Sequence, residues 1–380
     1  FLHDGLPQMV IPAVWPGAGA APTPASRATP GDATPASHAT PGDASPGDAT
    51  PASRATPVAL HDRLLPRLSD PNIGSKEHLV RQYDHEVQGG SVVKPFCGVH
   101  ADAPTDGAVL RPRLDSSRGL TVTHGICPRR SDRDTYEMAV AAVDEAVRAH
   151  VALGGDPDRM AALDNFCWPD PVLSESTPDG PYKMAQLVRA CRGLADACVA
   201  YSLPLVSGKD SMKNDARMGG RKVSIRPTLL VTLTGVVPDL RAAMTTDFKR
   251  ADDRVLVVGQ ATAAASSAAD AFPGAGGHSP ADSSRRGFTA DDLAASFALY
   301  RRLHQAISRG LVTAVHDVSE GGLAVALAEC AIGGRLGAWI TLPVDGSAGA
   351  AAADVRSGDD LFAGRPGSPS PLFAEPLGSF

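Results

Sequence analysis

A dense group of small, charged and hydroxyl residues occupies positions 205–214, LVSGKDSMKN. The apolar start predicts a short buried strand, and the polar residues would then lie at its carboxyl end, where α/β proteins usually bind ligands. The Gly-Lys-Asp-Ser core is similar to part of a phosphate-binding loop, but that loop needs a glycine five residues before Gly208. Leu203 occupies that position. We therefore expect these residues to hold phosphate and metal in another way.

A second polar group lies at positions 314–323, AVHDVSEGGL, between a predicted strand and a predicted helix. Asp317 offers the carboxylate oxygen that Mg²⁺ prefers. Ser319 could hydrogen-bond a phosphate at the helix N-terminus, where free N–H groups favour anions and the twin glycines allow close approach. From the residues alone, an equally supported interpretation is that Asp317 or Ser319 only caps the helix.

A third run, ALDNFCWPDP at positions 162–171, makes the set specific. In their order and separations, the three segments resemble phosphoribosylformylglycinamidine synthase, the ATP- and glutamine-dependent enzyme of purine biosynthesis that forms an amidine. The runs FLHDGLP at 1–7 and QYDHEVQGG at 82–90 fit the same family. The resemblance covers roughly residues 59–345 and is to the C-terminal half of the synthetase subunit.

The resemblance implies a chain of the aminoimidazole-ribonucleotide-synthetase-like superfamily, with α/β and α+β domains. An N-terminal-type α/β domain at 59–238 would precede a truncated C-terminal-type α+β domain at 239–380, and residues 1–17 would end a preceding domain. Residues 18–58 are rich in Pro, Ala, Thr and Ser, with degenerate ATPGD and ATPAS repeats. They have too few large apolar side chains to offset their ordering entropy, so we expect a disordered linker.

The family couples ATP to the conversion of formylglycinamide ribonucleotide into formylglycinamidine ribonucleotide, using ammonia derived from glutamine. The resemblance therefore implies ATP or ADP and Mg²⁺ as cofactors. It implies two protein partners, the N-terminal half of the synthetase and a glutaminase domain or subunit. The family's catalytic histidine belongs to the N-terminal half, and neither His124 nor His316 matches it, so no catalytic residue is identified. We expect the chain to be inactive alone and its nucleotide site to be structural.

Three acidic residues from distant segments match magnesium ligands of the family, namely Asp106, Glu145 and Asp317. In the family, an asparagine one helical turn after the glutamate completes the set. This chain has Ala149 there, which removes an oxygen ligand and weakens the site. Without the resemblance, Asp106 is explained as a turn residue and Glu145 as part of a solvated helix face.

Seven further positions match groups that face the nucleotide or the substrate in the family. Gly208 permits close backbone approach, and Ser211 can donate to a substrate phosphate. Lys209 supplies positive charge where some relatives carry a metal-binding asparagine, whereas Lys76 is equally well explained as an ordinary solvated lysine. The complete set is Lys76, Thr105, Asp164, Gly208, Lys209, Ser211 and Ser319.

Hydrophobic periodicity predicts the elements that must position these residues. The longest signal is a broad apolar stripe over 135–153 that two glycines terminate. Helices are predicted over 75–83, 135–153, 183–201, 291–308 and 322–332, and strands over 91–94, 122–123, 203–206, 223–237, 254–259 and 312–315.

Composition excludes several classes of protein. A net charge of -6 gives no general case for binding nucleic acid or acidic membranes. No apolar run approaches the ~18 residues of a membrane span, and no secretion signal is visible. Six cysteines without CxxC spacing favour reduced thiols in the cytoplasm, with Cys191 and Cys198 as small buried side chains. The start at Phe1 and the abrupt end are interpreted as those of a fragment.

Two alternative functions stay open. Aminoimidazole ribonucleotide synthetase and selenophosphate synthetase share the fold and the ATP chemistry, but neither is expected to carry the 1–7 junction or the NFCWP run at 165–169. A substrate panel would separate these enzymes. The second alternative is a non-catalytic scaffold half that retains Mg-nucleotide, which Ala149 favours.

Overall fold

The computed structural model describes residues 11–15, 60–259, 289–341 and 352–356. The α-helices in these ranges are α1 Leu60–Leu68, α2 Glu77–Val80, α3 Thr135–Ala152, α4 Gly180–Ala200, α5 Ala290–Ser308 and α6 Gly322–Gly334. Short 3₁₀ helices lie at Val87–Gly89, Pro128–Asp132 and Leu240–Ala242. The strands are β1 Ser91–Val93, β2 Phe96–Cys97, β3 Ala103–Pro104, β4 Ala108–Leu110, β5 Gly119–Ile126, β6 Met160–Cys167, β7 Leu205–Ser211, β8 Asp215–Met218, β9 Arg221–Ser224, β10 Thr228–Val237, β11 Arg254–Leu256, β12 Gly337–Thr341 and β13 Ala352–Arg356.

A six-stranded sheet forms the centre of the first half, with its strands in the order β1-β4-β5-β10-β6-β7. Neighbouring strands are antiparallel except β6 and β7, which run parallel. A parallel pair needs a crossover connection, and α4 supplies it between these two strands. The carboxyl ends of β6 and β7 therefore lie at the same edge of the sheet.

One face of this sheet is covered by helices. Alternate residues of β10, among them Leu229, Val231 and Leu233, are buried in a core that α3 and α4 share. Gly125 of β5 allows α3 to approach closely, because a Cβ there would lie 2.0 Å from the carbonyl oxygen of Ala142. On the opposite face, β5 presents exposed side chains at every second position. The sheet and its helices thus form two layers.

Helix α3 has clear start and stop signals. The carboxylate of Asp134 accepts a hydrogen bond of 2.8 Å from the backbone N–H of Tyr136 and caps the helix. After Ala152 the chain turns at Gly154, whose φ of +90° favours glycine. The helix predicted over 135–153 is therefore confirmed to within one residue.

The second half packs directly on the first through α5 and α6. The rings of Phe297 and Tyr300 in α5 contact Tyr201 at the end of α4, with centroids 5.4 and 6.0 Å apart. At α6, the carbonyl oxygen of Gly333 accepts a hydrogen bond of 2.9 Å from the N–H of Val99. A separate three-stranded sheet has the order β11-β13-β12. The segment between α5 and α6 is thereby held against the first half.

Two strand predictions in the second half are wrong. Residues 312–315, all of them described, form no strand, although Val315 is buried. Their apolar pattern reflects burial of an irregular segment against the core rather than pairing in a sheet. The buried strand predicted over 254–259 is reduced to β11, whose last residue, Leu256, is 68% exposed.

Other predictions are modified or lie outside the described residues. The helix predicted over 75–83 shrinks to the four residues of α2. Cys191 is exposed rather than buried, whereas Cys198 is buried as predicted. No helix in the described part of the chain is long and apolar enough to cross a membrane. The domain boundaries remain predictions, and the proposed linker and most of the junction fall within the undescribed ranges 1–10, 16–59, 260–288, 342–351 and 357–380.

Candidate metal and nucleotide site

Two of the predicted metal ligands meet where the second half packs on the first. Asp106 lies in the turn between β3 and β4, and Asp317 lies between α5 and α6. The N–H of Asp317 donates to Oδ2 of Asp106 at 3.4 Å. His316 joins them: its Nδ1 lies 2.6 Å from Oδ1 of Asp106, and its Nε2 lies 2.9 Å from Oε2 of Glu329. Among the described residues, Asp106, His316 and Asp317 have ligand atoms within 4.8 Å of one another.

The electrostatics of this cluster follow from its burial. Burial raises the pKa of Asp106 to about 7, an effect that His316 opposes and the charge of Asp317 reinforces. Burial alone would lower the pKa of His316, but the neighbouring Asp106 and Glu329 carboxylates raise it well above 6.5. A protonated imidazole therefore supplies the positive charge that closely spaced carboxylates require.

The donor set fits a divalent cation. Mg²⁺ in nucleotide sites is held by one or two carboxylates, and its other positions are filled by water and phosphate oxygens. Asp106 and Asp317 supply two carboxylates at a spacing that one ion could bridge. His316 was not predicted as part of this site, because it does not match the family's catalytic histidine. The His-Asp pair before a Gly-Gly helix start was the available signal.

Glu145, the third predicted metal ligand, lies elsewhere. Its Oε2 accepts a hydrogen bond of 2.8 Å from the N–H of Ile126 and lies 3.5 Å from Sγ of Cys127. The carboxylate thus contacts the carboxyl end of β5 and does not belong to the cluster around Asp106 in this structure. A metal role for Glu145 stays a prediction that requires the side chain to leave these contacts.

The helix-capping interpretation of Asp317 and Ser319 is wrong. The N-cap of α6 is Gly321, with a φ of +96°, and no side chain caps the helix. Ser319 contacts the start of the helix through its backbone: its carbonyl oxygen accepts a hydrogen bond of 2.9 Å from the N–H of Gly322. The carboxylate of Asp317 instead points to the buried guanidinium of Arg148, with Nε 3.3 Å from Oδ2.

The polar residues of β6 and β7 are split between the two faces of the sheet. The short buried strand predicted over 203–206 is wrong in burial and in length. Strand β7 begins at Leu205, is exposed along most of its length and continues to Ser211, so the polar residues lie within it. Asp164 pairs with the buried Val231 and therefore lies on the helix-covered face. The side chains of Lys209 and Ser211 both lie on the open face of the sheet. There the ammonium of Lys209 contacts the hydroxyl of Ser211. Asp164 therefore lies on the face opposite to Lys209 and Ser211, and the roles of all three toward a nucleotide or substrate stay predictions.

Gly208 and Asp164 are nevertheless direct neighbours across the parallel pair. A Cβ on Gly208 would lie 2.6 Å from Oδ1 of Asp164, closer than a van der Waals contact allows. Burial, helped by the charge of Asp210, raises the pKa of Asp164. Glycine therefore leaves room for the Asp164 carboxylate, which would have to shift beside a larger side chain.

Gly208→Ala is expected to lower the free energy of unfolding by no more than about 1 kcal/mol, because Gly208 is exposed and the Asp164 carboxylate can turn away from the added methyl group. Urea unfolding measures this loss, with Ser207→Ala on the same strand as the matched control. Adding Asp164→Ala should recover part of the loss. Equal losses in the single and double variants would mean that the two side chains do not compete for space.

The last two predicted residues have local contacts. The hydroxyl of Thr105 lies 2.8 Å from the carbonyl oxygen of Lys94 and 2.9 Å from that of Gly107, so it shapes the turn that carries Asp106. Lys76 is exposed, and its ammonium donates to the carbonyl oxygen of Gly74. Neither contact tests a role toward a nucleotide.

Comparison with known sequences defines the class of protein. The family described as AIR synthase related protein, N-terminal domain, matches residues 104–237, and the corresponding C-terminal domain matches residues 250–362. The two matched ranges follow each other in the family's order and together take in most of the chain. The chain therefore belongs to the AIR synthase related proteins, with an N-terminal-type domain followed by a C-terminal-type domain.

Individual relatives show which AIR synthase related proteins this chain resembles. The chain is 34% identical over 290 residues to phosphoribosylformylglycinamidine synthase subunit PurL of Gloeobacter violaceus, covering 73% of this chain and 34% of that protein. The PurL subunit of Thermoplasma volcanium is 33% identical over 201 residues, with coverages of 53% and 25%. Solved PurL of Thermotoga maritima complexed with ADP aligns with a TM-score of 0.43 and 20% identity, over 77% of this chain and 40% of that one. The chain thus spans about a quarter to a third of the curated relatives.

Proposed function

We propose that this chain is part of a phosphoribosylformylglycinamidine synthase. The complete enzyme would use ATP and glutamine-derived ammonia to convert formylglycinamide ribonucleotide into formylglycinamidine ribonucleotide. The juxtaposition of Asp106, His316 and Asp317 carries the proposal, because it unites buried carboxylates from segments about 200 residues apart. The similarity to the Gloeobacter violaceus PurL subunit supports it.

In this proposal, Asp106 and Asp317 hold Mg²⁺ together with ATP or ADP. The bound ion would neutralise the negative charge of the nucleotide phosphates. The protein presents the N-terminus of α6 beside the two carboxylates, and its free N–H groups favour phosphate oxygens. Gly321 and Gly322, both with positive φ, bring the backbone close to that ligand, and Ser319 lies in the same turn.

The open face of β7 is the proposed contact for the substrate. Lys209 offers a positive charge and Ser211 a hydroxyl donor on the same side of this edge strand. Both groups suit a phosphate of formylglycinamide ribonucleotide. Asp164, on the opposite face, would support the strand through Gly208 rather than contact the substrate.

The proposed partners are the N-terminal half of the synthetase and a glutaminase domain or subunit. The family's catalytic histidine has no counterpart identified among the residues of this chain, so the reaction would require the other half. The proposed location of the assembled enzyme is the cytoplasm.

A second candidate function is a scaffold that binds Mg-nucleotide without turning it over. Two observations favour it: Ala149 offers no oxygen ligand, and Glu145 is engaged by the backbone of β5. Both candidates share the nucleotide site at Asp106 and Asp317. They differ in whether that site takes part in turnover.

Reconstitution tests the proposed function and separates the two candidates. The chain, mixed with the N-terminal half of the Gloeobacter violaceus PurL subunit, ATP, ammonium chloride and formylglycinamide ribonucleotide, is expected to form the amidine. The chain alone is expected to form none. Asp317→Asn should abolish turnover of the mixture if the site is catalytic, and should lower only the melting temperature if it is structural. Asp291→Asn, an exposed substitution in α5, is the control.

Absence of amidine would contradict the synthase proposal only in a mixture whose halves are folded and associated. Association is therefore measured first by size-exclusion chromatography. Turnover by the chain alone at the rate of the mixture would contradict the need for a second half.

A further inference from the structure

A buried polar network adjoins the proposed metal site and shares Asp317 with it. Its members come from three helices and from the segment before α6, and each has at most a few percent of its side chain exposed. They are Asp144 and Arg148 of α3, Tyr201 at the end of α4, Tyr300 of α5 and the ligand candidate Asp317.

Asp144 anchors the network. Its Oδ2 accepts a hydrogen bond of 2.6 Å from Nη1 of Arg148, one helical turn later. Its Oδ1 accepts a hydrogen bond of 2.6 Å from the hydroxyl of Tyr201 and another from the hydroxyl of Tyr300. Both oxygens are therefore engaged, and the position of the guanidinium is fixed from one side.

Arg148 links this anchor to Asp317. With Nη1 on Asp144, the planar guanidinium directs Nε to Oδ2 of Asp317 at 3.3 Å. Because the guanidinium is planar and rigid, the contact of Nη1 with Asp144 fixes the direction in which Nε points toward Asp317. One buried positive charge thus faces two buried carboxylates, and its orientation determines where the Asp317 carboxylate lies.

The arrangement crosses the contact between the two halves of the chain. Arg148 lies in the range matched by the N-terminal-type domain, whereas Tyr300 and Asp317 lie in the range matched by the C-terminal-type domain. A displacement of α5 relative to α3 would move the Tyr300 hydroxyl away from Asp144 and disturb the guanidinium. A change in how the two halves pack would therefore change the position of the Asp317 carboxylate.

We infer that Arg148 is a positioning residue for the metal and nucleotide site, holding the Asp317 carboxylate in its ligating place. Asp144 and Tyr300 contact Arg148 directly and hold it, whereas Tyr201 reaches only Asp144. The part of this inference that concerns metal rests on the proposed function. The part that concerns the position of Asp317 stands on the contacts alone.

The first test compares two substitutions within the network. Arg148→Lys keeps the charge and can still pair with Asp144, but it lacks the fork that reaches Asp317. Tyr201→Phe removes a hydrogen bond from the same network and leaves the contact between Arg148 and Asp317 unchanged. Binding of ADP to the full chain is measured by calorimetry over a series of Mg²⁺ concentrations.

Arg148→Lys is expected to raise the Mg²⁺ concentration for half-maximal ADP binding by about 10-fold or more, in the range for residues that orient metal ligands. Tyr201→Phe is expected to lower the melting temperature without changing that concentration. An unchanged Mg²⁺ requirement in folded Arg148→Lys would overturn the inference. So would an equal shift in both variants, since it would reflect general destabilisation.

A second measurement keeps the inference separate from the proposed function. Amide hydrogen exchange of the ligand-free chain is expected to be faster across 316–321 in Arg148→Lys than in Tyr201→Phe or the unsubstituted chain, with β10 as the internal reference. If the unsubstituted chain binds no ADP, the proposed nucleotide site is wrong, and hydrogen exchange alone decides whether Arg148 positions Asp317. Identical exchange in the two variants would overturn the positioning role.

Discussion

Arg148→Met is expected to lower the free energy of unfolding by about 3–5 kcal/mol, the range for breaking a buried ion pair by removing one partner. Methionine fills most of the space but leaves the carboxylates of Asp144 and Asp317 without their shared positive charge. The side chain of Arg148 is only 1% exposed, so water cannot replace that charge. Urea unfolding at pH 7 measures the loss.

The double variant Asp144→Asn with Arg148→Met controls for the cause. Replacing the Asp144 carboxylate, which has lost its guanidinium partner in Arg148→Met, should restore part of the lost stability, whereas Asp144→Asn alone should destabilise. If Arg148→Met unfolds within about 1 kcal/mol of the unsubstituted chain, the buried charges do not interact as the geometry indicates.

Protonation of His150 is expected to contribute a loss of stability as pH decreases from about 6.5 to about 4, and the raised pKa of Asp106 contributes in the opposite direction over the same range. This ring is fully buried, with Nδ1 2.6 Å from the Thr121 hydroxyl and Nε2 3.0 Å from the carbonyl oxygen of Asp156. A Cβ added at Gly155 or Gly235 would lie 2.0 or 2.3 Å from it, so the ring packs closely against the backbone of both glycines.

The sign follows from proton binding. Burial lowers the pKa of His150 to about 4, whereas in the unfolded chain it returns to about 6.5. Between these values the unfolded chain binds more protons, so acid favours unfolding. The complete loss, reached below about pH 4, amounts to about 3 kcal/mol.

A comparison of variants isolates this histidine from the other titrating groups. His150→Gln retains an acceptor and a donor but cannot take up the proton. Relative to the unsubstituted chain, its stability should therefore lose less, or gain more, as the pH decreases from 6.5 to 4. His78→Gln, at an exposed position of α2, should leave the pH dependence unchanged. Parallel stability curves for His150→Gln and the unsubstituted chain would contradict the assignment.

Elements with strong local signals could be predicted from the sequence. The limits of α3 follow from the Asp134 cap, the apolar stripe and Gly154, all of which act within one turn of the helix. The start of α6 follows equally from the twin glycines. Residues 312–315 show the limit of this approach, because a short apolar run is buried either as a strand or as an irregular segment.

The site depends on contacts that one sequence does not reveal. The sequence motifs indicated Asp106 and Asp317 separately, but His316 as the group between them emerges only when α6 packs on the first half. Asp164 and Lys209 lie on opposite faces because of the strand register, and a shift of the register by one residue would move each side chain to the other face. Asp144 and Arg148 lie one helical turn apart in an apolar stripe, which is a local signal, but nothing local indicates that Arg148 also contacts Asp317.

The most direct test of a Mg-nucleotide site at Asp106 and Asp317 is a calorimetric titration of the chain with ADP, with and without Mg²⁺, accompanied by melting temperatures. We expect Mg²⁺-dependent binding that raises the melting temperature, and a loss of both effects in Asp317→Asn. Equal binding without Mg²⁺, or no binding by a chain shown to be folded, would contradict a metal-dependent nucleotide site in this protein.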